Sequence, residues 1–439
     1  MPAPGKRAMQ ARRPTSRAAD VLTCAASYAQ ESFLTSADAS AINVPAVTPL
    51  GDDVGPAQVR RILGLLVARH GALRTVLTRA PDGPALQRVR PTRTIPLVVT
   101  GHRGPPRALL ADLLLAGSEE PFRVHGGALS RAELHRFGTG GQVLMVWLHH
   151  AISDLVSSHV LAEEVRELSR GGTLPAPGLQ LADFAVQERA VRATARQWRY
   201  WTEALRSVDD RLGVRYPAGT AHQAIRPALP RLPTAVVDAL GRLAAAHRTT
   251  LTAVLGAAVV AVHAGEATSS RCVIGLTISN RHHPRLRSTV GCLADQLPLV
   301  VDIGGRSTFR QLLGRVREAL LDAYDSRLPL GLLLPLLGRP APPVFAVNLN
   351  FVPPPAGPAR GQPPGAVMDL PYGITKRRAE PWWLGDAALA YRPRIDAAGL
   401  GGEIEGDAHL QDAGEIQRRG ERFCAVLAAA AGDPDRELT

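Results

Sequence analysis

The segment Met145–Val165, MVWLHHAISDLVSSHVLAEEV, places two adjacent histidines between two different patterns of apolar residues. The residues before the histidines are nearly all apolar, which is typical of a central β-strand. After them, four apolar residues recur at helical spacing: Val156, Val160, Leu161 and Val165. The segment therefore predicts a buried strand that ends at the histidine pair, followed by a helix that Ser153 caps and that extends to about Arg170.

The turn between these two elements carries polar residues that suit catalysis. His149 and His150 end the strand, and Asp154 follows His150 by four residues. A histidine held by a sheet can accept a proton near neutral pH, as a general base must. Asp154 could orient that imidazole, or it could pair with an arginine and hold the turn in shape. From the local pattern alone, a histidine pair that is only packed at a strand end is the better interpretation.

Length, composition and charge bound the class of protein. The chain has 439 residues, of which 45% are hydrophobic, so two or three domains or lobes are expected. Its formal net charge of +12 favours acidic partners through long-range attraction. The arginines are scattered and lack the interleaved aromatic residues of a nucleic-acid surface, so no nucleic-acid partner is predicted. Residues 1–20 are predicted to form a disordered basic tail.

The cysteines and the apolar runs indicate a reducing, aqueous compartment. The 4 cysteines lie far apart and form no C-x-x-C pair, so neither a zinc site nor a disulfide framework is predicted. No apolar run approaches the length of a membrane helix, and the N-terminus lacks the apolar region of a signal peptide. We therefore expect a cytoplasmic protein without a membrane partner.

Helical and strand patterns alternate through both halves of the chain. Helices are predicted over residues 55–70, 107–122, 309–325 and 413–432, as one long helix or two over 181–205, and as a pair over 233–266. Strands are predicted over residues 72–79, 85–90, 271–279 and 343–353, as a glycine-linked pair over 128–150, and as a hairpin over 384–407. Both halves thus mix helices and strands, which predicts an α/β (α+β) fold of two similar lobes.

Several segments resemble the motifs of one enzyme family, in that family's order. The stretch His149–Asp154 is similar to the H-H-x-x-x-D-G motif of the condensation domains of nonribosomal peptide synthetases, which act in natural-product and antibiotic biosynthesis. The supporting segments are SYAQESFL at 27–34, RHGALRTVL at 69–77, ADFAVQERA at 182–190, ISNRHHP at 278–284, VGCLADQLPLVVDI at 290–303 and VNLNFV at 347–352. The resemblance covers about residues 20–435, and the joint order of these motifs carries it.

The resemblance implies the fold of the chloramphenicol acetyltransferase superfamily, in which two lobes form a V with the active-site tunnel between them. The disordered tail would then span residues 1–20, the N-terminal lobe 21–180, a connecting helical segment 181–206 and the C-terminal lobe 207–435. Donor and acceptor would reach the tunnel from opposite faces, often on the phosphopantetheine arms of acidic peptidyl or acyl carrier proteins. The resemblance implies no metal, no cofactor bound by the protein itself, and a monomer.

The functional residues of the motif carry over one by one as implications of the resemblance. His150 matches the second, catalytic histidine, which accepts the proton of the nucleophile or holds the nucleophile in line. His149 matches the first histidine, and Asp154 matches the motif aspartate, which in the family is mostly structural. The expected ion-pair partner of Asp154 is Arg281, with Arg74 as the second candidate. A buried carboxylate without such a partner would cost several kcal/mol.

The chain departs from the family's pattern at residues expected to line the tunnel and to contact substrate. Leu155 replaces the motif glycine, at which backbone and ligand approach closely, so the leucine either narrows the tunnel or turns into the core. Asp295 and Gln296 stand where the family has the last two residues of V-N-T. Ser157 and Asn350 complete the predicted set of tunnel residues. These departures bear on substrate handling more than on the fold.

Three functions are compatible with this sequence. The first is a condensation enzyme that transfers an acyl or aminoacyl group from a carrier-protein thioester to an amine or a hydroxyl, including that of a free small molecule. The second is a catalytically silent platform that recruits carrier proteins or partner enzymes, and the retained histidine pair argues against it. The third is a small-molecule acyltransferase that uses coenzyme A. We expect a free-standing enzyme rather than a piece of a longer synthetase.

Overall fold

The computed structural model describes most of the chain. The described residues are 21–35, 42–79, 83–206, 224–266, 270–305, 307–336, 345–353, 389–408 and 410–438. The predicted basic tail at residues 1–20 lies outside them, as do the first residues of the predicted hairpin, 384–388.

Helices and strands are mixed throughout the described part of the chain. The helices are α1 (Tyr28–Thr35), α2 (Pro56–Arg69), α3 (Pro106–Glu119), α4 (Leu155–Ser169), α5 (Leu181–Arg189), α6 (Ala195–Arg206), α7 (Thr234–Ala246), α8 (Leu251–His263), α9 (Phe309–Asp325), α10 (Leu330–Leu336) and α11 (Ala413–Gly432). The strands are β1 (Leu22–Ala25), β2 (Asn43–Leu50), β3 (Thr75–Arg79), β4 (Ala85–Val89), β5 (Leu97–His102), β6 (Ser130–Phe137), β7 (Gln142–His149), β8 (Ala224–Ile225), β9 (Arg271–Ile278), β10 (Asp295–Asp302), β11 (Val347–Leu349), β12 (Leu389–Asp396) and β13 (Gly399–Asp407). The predicted α/β class is confirmed, and the segment 181–205 forms two helices.

The strands of the described chain assemble into three sheets, with the orders β1-β4-β3, β2-β7-β6-β5 and β10-β9-β11-β12-β13-β8. Strand β7 pairs antiparallel with β2 on one side and with β6 on the other. Every residue of β7 is buried, as its continuous apolar run predicts. The histidine pair therefore lies at the end of an internal strand.

The sequence analysis does not predict strands β2 and β10, because both contain proline. Pro45 and Pro49 lie in β2, and Pro298 lies in β10. Proline cannot donate to a strand ladder, so its presence argues against a strand. Both strands lie at the edge of their sheets, where one side of the ladder needs no N–H donors.

The apolar side chains of the described residues form two hydrophobic cores. The first core takes its residues from the chain between Ala26 and Phe184, together with Leu286, Val290, Cys292 and Leu293. The second core extends along the chain from Trp201 to Ala430. The segment 286–293 thus leaves the second half of the chain and packs into the first core. This crossing brings the turn after β9 to the beginning of α4.

One region of the described chain has the hydropathy expected of a membrane span. None of the described helices is long and apolar enough by itself to cross a membrane. Helices α7 and α8 meet the criterion only as a pair, and they are bent by 102° to each other.

Candidate active site

The backbone of the histidine pair is held by its neighbours on two sides. Strand β7 ends at His149, and a single 3-10 turn, His150–Ile152, follows. The His149 N–H donates to the Leu129 carbonyl at 2.9 Å, and the His150 N–H donates to the Ile42 carbonyl at 2.8 Å. These bonds to the flanking chains fix the direction in which the strand leaves the sheet.

The two imidazoles occupy different environments. His149 is fully buried, and its Nδ1 accepts the Ala151 N–H at 3.0 Å, so a neutral ring carries its proton on Nε2. Its ring meets that of Phe33 edge-on at 5.4 Å. The His150 ring lies nearly parallel to the Phe33 ring at 5.5 Å and is only partly buried. Of the two histidines, His150 is the one that is partly exposed to solvent.

Asp154 forms a buried, bidentate ion pair with Arg281. Its Oδ2 accepts from Arg281 Nη1 at 2.5 Å, and its Oδ1 accepts from Arg281 Nη2 at 2.8 Å. Oδ2 also accepts the Leu293 N–H at 3.1 Å, and Oδ1 accepts the Ser157 N–H at 2.9 Å. Of the two alternatives for Asp154, orienting a histidine or pairing with an arginine, the structure therefore contains the second. Such charge-assisted, two-pronged pairs are among the stronger polar contacts in proteins.

Asp154 also begins helix α4, and here the predicted cap is wrong. The N-cap is Asp154 and not Ser153, because the Asp154 carboxylate accepts the N–H of Ser157 in the first turn. The Ser153 hydroxyl instead donates to the His149 carbonyl at 3.3 Å. Both residue types cap helices well, so local preference alone does not choose between them. The buried guanidinium of Arg281 holds the Asp154 side chain at this position.

Arg281 is presented by a turn with unusual backbone geometry. The preceding residue, Asn280, has a φ of 53°, in the left-handed region that asparagine tolerates better than most residues. The Asn280 side-chain amide donates to the Leu293 carbonyl at 2.9 Å. Arg281 Nη2 donates in addition to the carbonyls of Thr289 and Gly291, at 3.1 and 3.2 Å. The crossing segment thus supplies acceptors for the guanidinium as well as apolar side chains for the first core.

Ser157 lies inside this ion-pair network. It is fully buried, and its hydroxyl is 2.7 Å from Asp154 Oδ1 and 2.9 Å from the Gly291 carbonyl. The same oxygen accepts the Gly291 N–H at 3.0 Å. Ser157 was predicted as a tunnel residue, whereas these contacts join α4 to the crossing segment. The sequence signal that could have identified this role of Ser157 is the Asp-x-x-Ser spacing at the start of a helix, because it is a capping-box pattern.

The remaining predicted residues lie in separate places. Arg74 donates to the carbonyls of Val67 and Arg90, at 2.9 and 2.5 Å, so it holds the backbone around β3 and β4 and is not in the Asp154 network. Leu155 is the first residue of α4 and is partly buried. Gln296 is buried and donates to the Thr277 hydroxyl at 3.0 Å. Asn350 is partly buried next to β11, where its N–H donates to the Tyr391 carbonyl.

Two further carboxylates near this network have altered acidity. Burial, reinforced by the charge of Asp295, raises the pKa of Glu188 from 4.5 to about 7. Burial also raises the pKa of Asp295 from 3.8 to about 6. Sequence reasoning selected Asp295 but missed Glu188, which looks like an ordinary polar residue of α5. Perturbed acidity in a cleft is a feature of functional sites.

The site offers neither a metal centre nor a reactive thiol in the described residues. No group of three or more histidine, cysteine or acidic side chains in the described ranges is arranged to hold a metal ion. Burial raises the pKa of the Cys292 thiol well above its ordinary value, so this side chain is protonated at neutral pH. A thiol that stays protonated cannot act as a base, so the imidazole of His150 is the better candidate for proton transfer.

Comparison with known proteins places the chain in a family. The structure defines a class of α/β protein. In this class a histidine pair ends a strand, and an aspartate–arginine ion pair lies directly after it. The model of the condensation domain family matches residues 26–356, so the chain belongs to that family. Over 293 residues, 64% of this chain, it is 30% identical to one of the plipastatin synthase proteins of Bacillus subtilis (strain 168), and the match spans 11% of that protein's length.

Solved structures show the same fold. The condensation domain of the monacolin K polyketide synthase MokA superposes with a TM-score of 0.76 at 18% identity, covering 95% of this chain and 100% of that domain. The X-domain from teicoplanin biosynthesis, in its complex with OxyB, superposes with a TM-score of 0.73 at 20% identity, covering 100% of this chain and 98% of that one. The resemblance to condensation domains is thereby confirmed.

We predict that the Asp154–Arg281 pair is strongly coupled. Asp154→Asn keeps a capping residue, and Arg281→Met keeps the stem of the side chain, so each change removes mainly the charge. Each single change is expected to lower the free energy of unfolding by about 3 kcal/mol or more, because it leaves a buried charge unpaired. The double variant should lose about 2 kcal/mol less unfolding free energy than the two single variants lose together, as measured by urea unfolding.

The exposed pair Arg231–Asp396 provides the matched control. Its atoms lie 2.7 Å apart, but the two side chains are 51% and 24% exposed. The equivalent cycle there should give a coupling below about 1 kcal/mol. Equal coupling in the two cycles would contradict the structural role of the buried pair.

We predict that Glu188→Gln stabilises the protein at alkaline pH. Because the folded pKa of Glu188 is raised from 4.5 to about 7, the folded protein binds its proton more tightly than the unfolded chain does. Stability is therefore lost as the pH rises through this window. At pH 8 the variant should be more stable by about 1–3 kcal/mol, and its unfolding free energy should change less between pH 5 and pH 8. Glu318→Gln, on the exposed face of α9, is the control and should match the wild type.

Proposed function

We propose that this chain is a condensation enzyme that transfers an acyl or aminoacyl group from a carrier-protein thioester to an amine or a hydroxyl. The observation that carries the proposal is the placement of His150, a partly exposed residue whose backbone N–H donates to the Ile42 carbonyl and whose ring stacks on that of Phe33. A general base needs both a fixed position and access to its substrate. Membership of the condensation domain family supports this chemistry.

The proposed reaction needs one proton acceptor and no covalent enzyme intermediate. The nitrogen or oxygen of the acceptor attacks the thioester carbonyl carbon, a C–N or C–O bond forms, and the C–S bond breaks. His150 takes the proton from the attacking atom and returns it to the departing thiolate, so the imidazole ends the cycle as it began. His149 and the Asp154–Arg281 pair hold His150 in position. The phosphopantetheine arm belongs to the carrier protein, and the protein's positive charge suits an acidic carrier.

A docking platform is the second candidate. The X-domain from teicoplanin biosynthesis shares this fold and forms a complex with OxyB. Leu155, which replaces the motif glycine at the start of α4, is the feature of this chain that fits a platform best. The retained and positioned His150 favours the enzyme, because recruitment alone needs no histidine there.

We predict that transfer depends on His150 more than on any other residue of the motif. His150→Ala should lower the rate of acyl transfer by about 10²–10⁴-fold, the usual contribution of a general base, and leave the unfolding free energy nearly unchanged. His149→Ala should destabilise the fold, because it empties a fully buried position. The measurement is intact-mass detection of product from acyl-loaded carrier proteins offered with a panel of amines and alcohols.

The alternatives separate in the same assay. Transfer that survives His150→Ala would show that the base lies elsewhere. Carrier binding without transfer to any acceptor would favour the platform. Transfer from acyl-coenzyme A at the same rate as from the carrier would identify a soluble-thioester acyltransferase.

A further inference from the structure

The Phe33 ring contacts both imidazoles of the histidine pair. It meets His149 edge-on, with ring centres 5.4 Å apart and ring planes at 80°. It lies nearly parallel to the His150 ring, with centres 5.5 Å apart and planes at 28°. Phe33 is only 1% exposed, so close packing leaves its ring little freedom to leave this arrangement. The imidazole of His150 is therefore stacked on a fixed aromatic ring.

Helix α1 carries Phe33 and is itself held at its first turn by α5. The Glu188 side chain accepts the Tyr28 N–H at 2.8 Å. Arg189 Nε donates to the Ala26 carbonyl at 2.7 Å, and its guanidinium lies 3.8 Å from the centre of the Tyr28 ring. Phe33 lies about one and a half turns further along the same helix. These contacts therefore fix the position from which its ring meets the histidines.

The face of an aromatic ring favours a cation over a neutral group. It carries negative potential and attracts a positive charge within about 6 Å of the ring centre. In the proposed reaction His150 accepts the proton of the attacking atom and is an imidazolium until it returns that proton to the departing thiolate. At 5.5 Å, the Phe33 ring lies within the distance at which it stabilises this charge.

The titratable side chains of the elements around this turn have partners of their own. His149 Nδ1 accepts a backbone N–H at 3.0 Å, and the Asp154 carboxylate is paired with Arg281. On α1, which packs against the turn, Glu31 forms an ion pair with Arg189. These groups set a common electrostatic background, and exchanging the aromatic ring alone leaves that background in place.

We propose that Phe33 is a positioning residue for His150: its ring fixes the plane of the imidazole and favours the protonated form that arises during acyl transfer. The inference rests on the proposed function, because it takes His150 to be the proton acceptor. A leucine at this position would fill much of the same space but would offer no aromatic face. Packing and electrostatic contributions of the ring are therefore separable by substitution.

The first test measures the protonation of His150 directly in the full chain. NMR titration of protein labelled in its histidine rings compares the wild type with Phe33→Leu, and the spectrum of His150→Ala assigns the signal. We expect the pKa of His150 to fall by about 0.5–1 in the leucine variant, because no aromatic face then favours the imidazolium. Phe309→Leu, a similarly buried change in the second core, is the control and should leave this titration unchanged.

A second substitution keeps the test decisive where the leucine variant fails to fold, as thermal unfolding would show. Trifluorophenylalanine at position 33 preserves the shape of the ring and weakens the negative potential of its face. The pKa of His150 should again fall, by about 0.5, although the packing is unchanged. A His150 titration that does not move in the fluorinated protein would overturn the proposal.

The transfer assay then tests whether the ring serves catalysis. Phe33→Leu should lower kcat by about tenfold, because the imidazole is held less well in line, while KM for the loaded carrier stays within about twofold. The acid-side midpoint of the pH–rate profile should move to lower pH by the same amount as the NMR titration. A merely structural change, as in Phe309→Leu, lowers the amount of folded protein without moving this midpoint.

The two measurements separate failure of this inference from failure of the proposed function. Transfer by Phe33→Leu with the kcat and midpoint of the wild type would overturn the positioning role and leave the proposed function standing. A shifted NMR titration in a protein whose wild type transfers nothing would overturn the proposed function and leave the effect of Phe33 on His150 standing.

Discussion

The ion pair between Asp154 and Arg281 is the interaction on which the arrangement of this site depends. It joins the beginning of α4, which belongs to the first core, to the turn after β9, which belongs to the second half of the chain. Both charges are buried, so neither is tolerable without the other. Ser157 and the carbonyls of residues 289 and 291 accept further hydrogen bonds from Nη2 of the guanidinium, and within the described residues only its buried Nε has no partner. The turn that carries His150 is thereby held between the two cores.

The carboxylates in and near this ion-pair network are in opposite states. Asp154 receives a guanidinium and two backbone donors, whereas Glu188 and Asp295 receive backbone donors but no bonded cation within the described residues. Burial therefore stabilises the network around Asp154 and penalises charge on the other two side chains. A group kept in an unfavourable state at some cost in stability is typical of sites that serve function rather than folding. This contrast separates a paired, structural carboxylate from two carboxylates whose pKa burial raises.

Sequence patterns predicted the elements whose burial follows a simple period. Strand β7 has a continuous apolar run, and α2, α9 and α11 each place their buried residues on one face. Patterns failed where local chemistry conflicts with position in the sheet. Because β2 and β10 contain proline, the sequence pattern does not identify them as strands. A missing N–H is acceptable there only because both strands lie at the edge of a sheet. Sequence patterns also fail to identify the N-cap of α4, because Ser153 and Asp154 are equally good capping residues. Arg281, which is distant in the chain, determines that Asp154 takes this position.

The sequence by itself determined the α/β class and the histidine pair at the end of a buried strand, because each depends on residues that are close together in the chain. It also determined the family, because the short motifs keep that family's order along the chain. The tertiary structure decided that Arg281 and not Arg74 pairs with Asp154. It also decided that Ser157 belongs to the ion-pair network and that the charge of Asp295 acts on Glu188. Each of these contacts joins residues that local patterning does not connect, or depends on which face of a helix turns inward. They exist because the segment 286–293 crosses into the first core, and only packing makes that crossing visible.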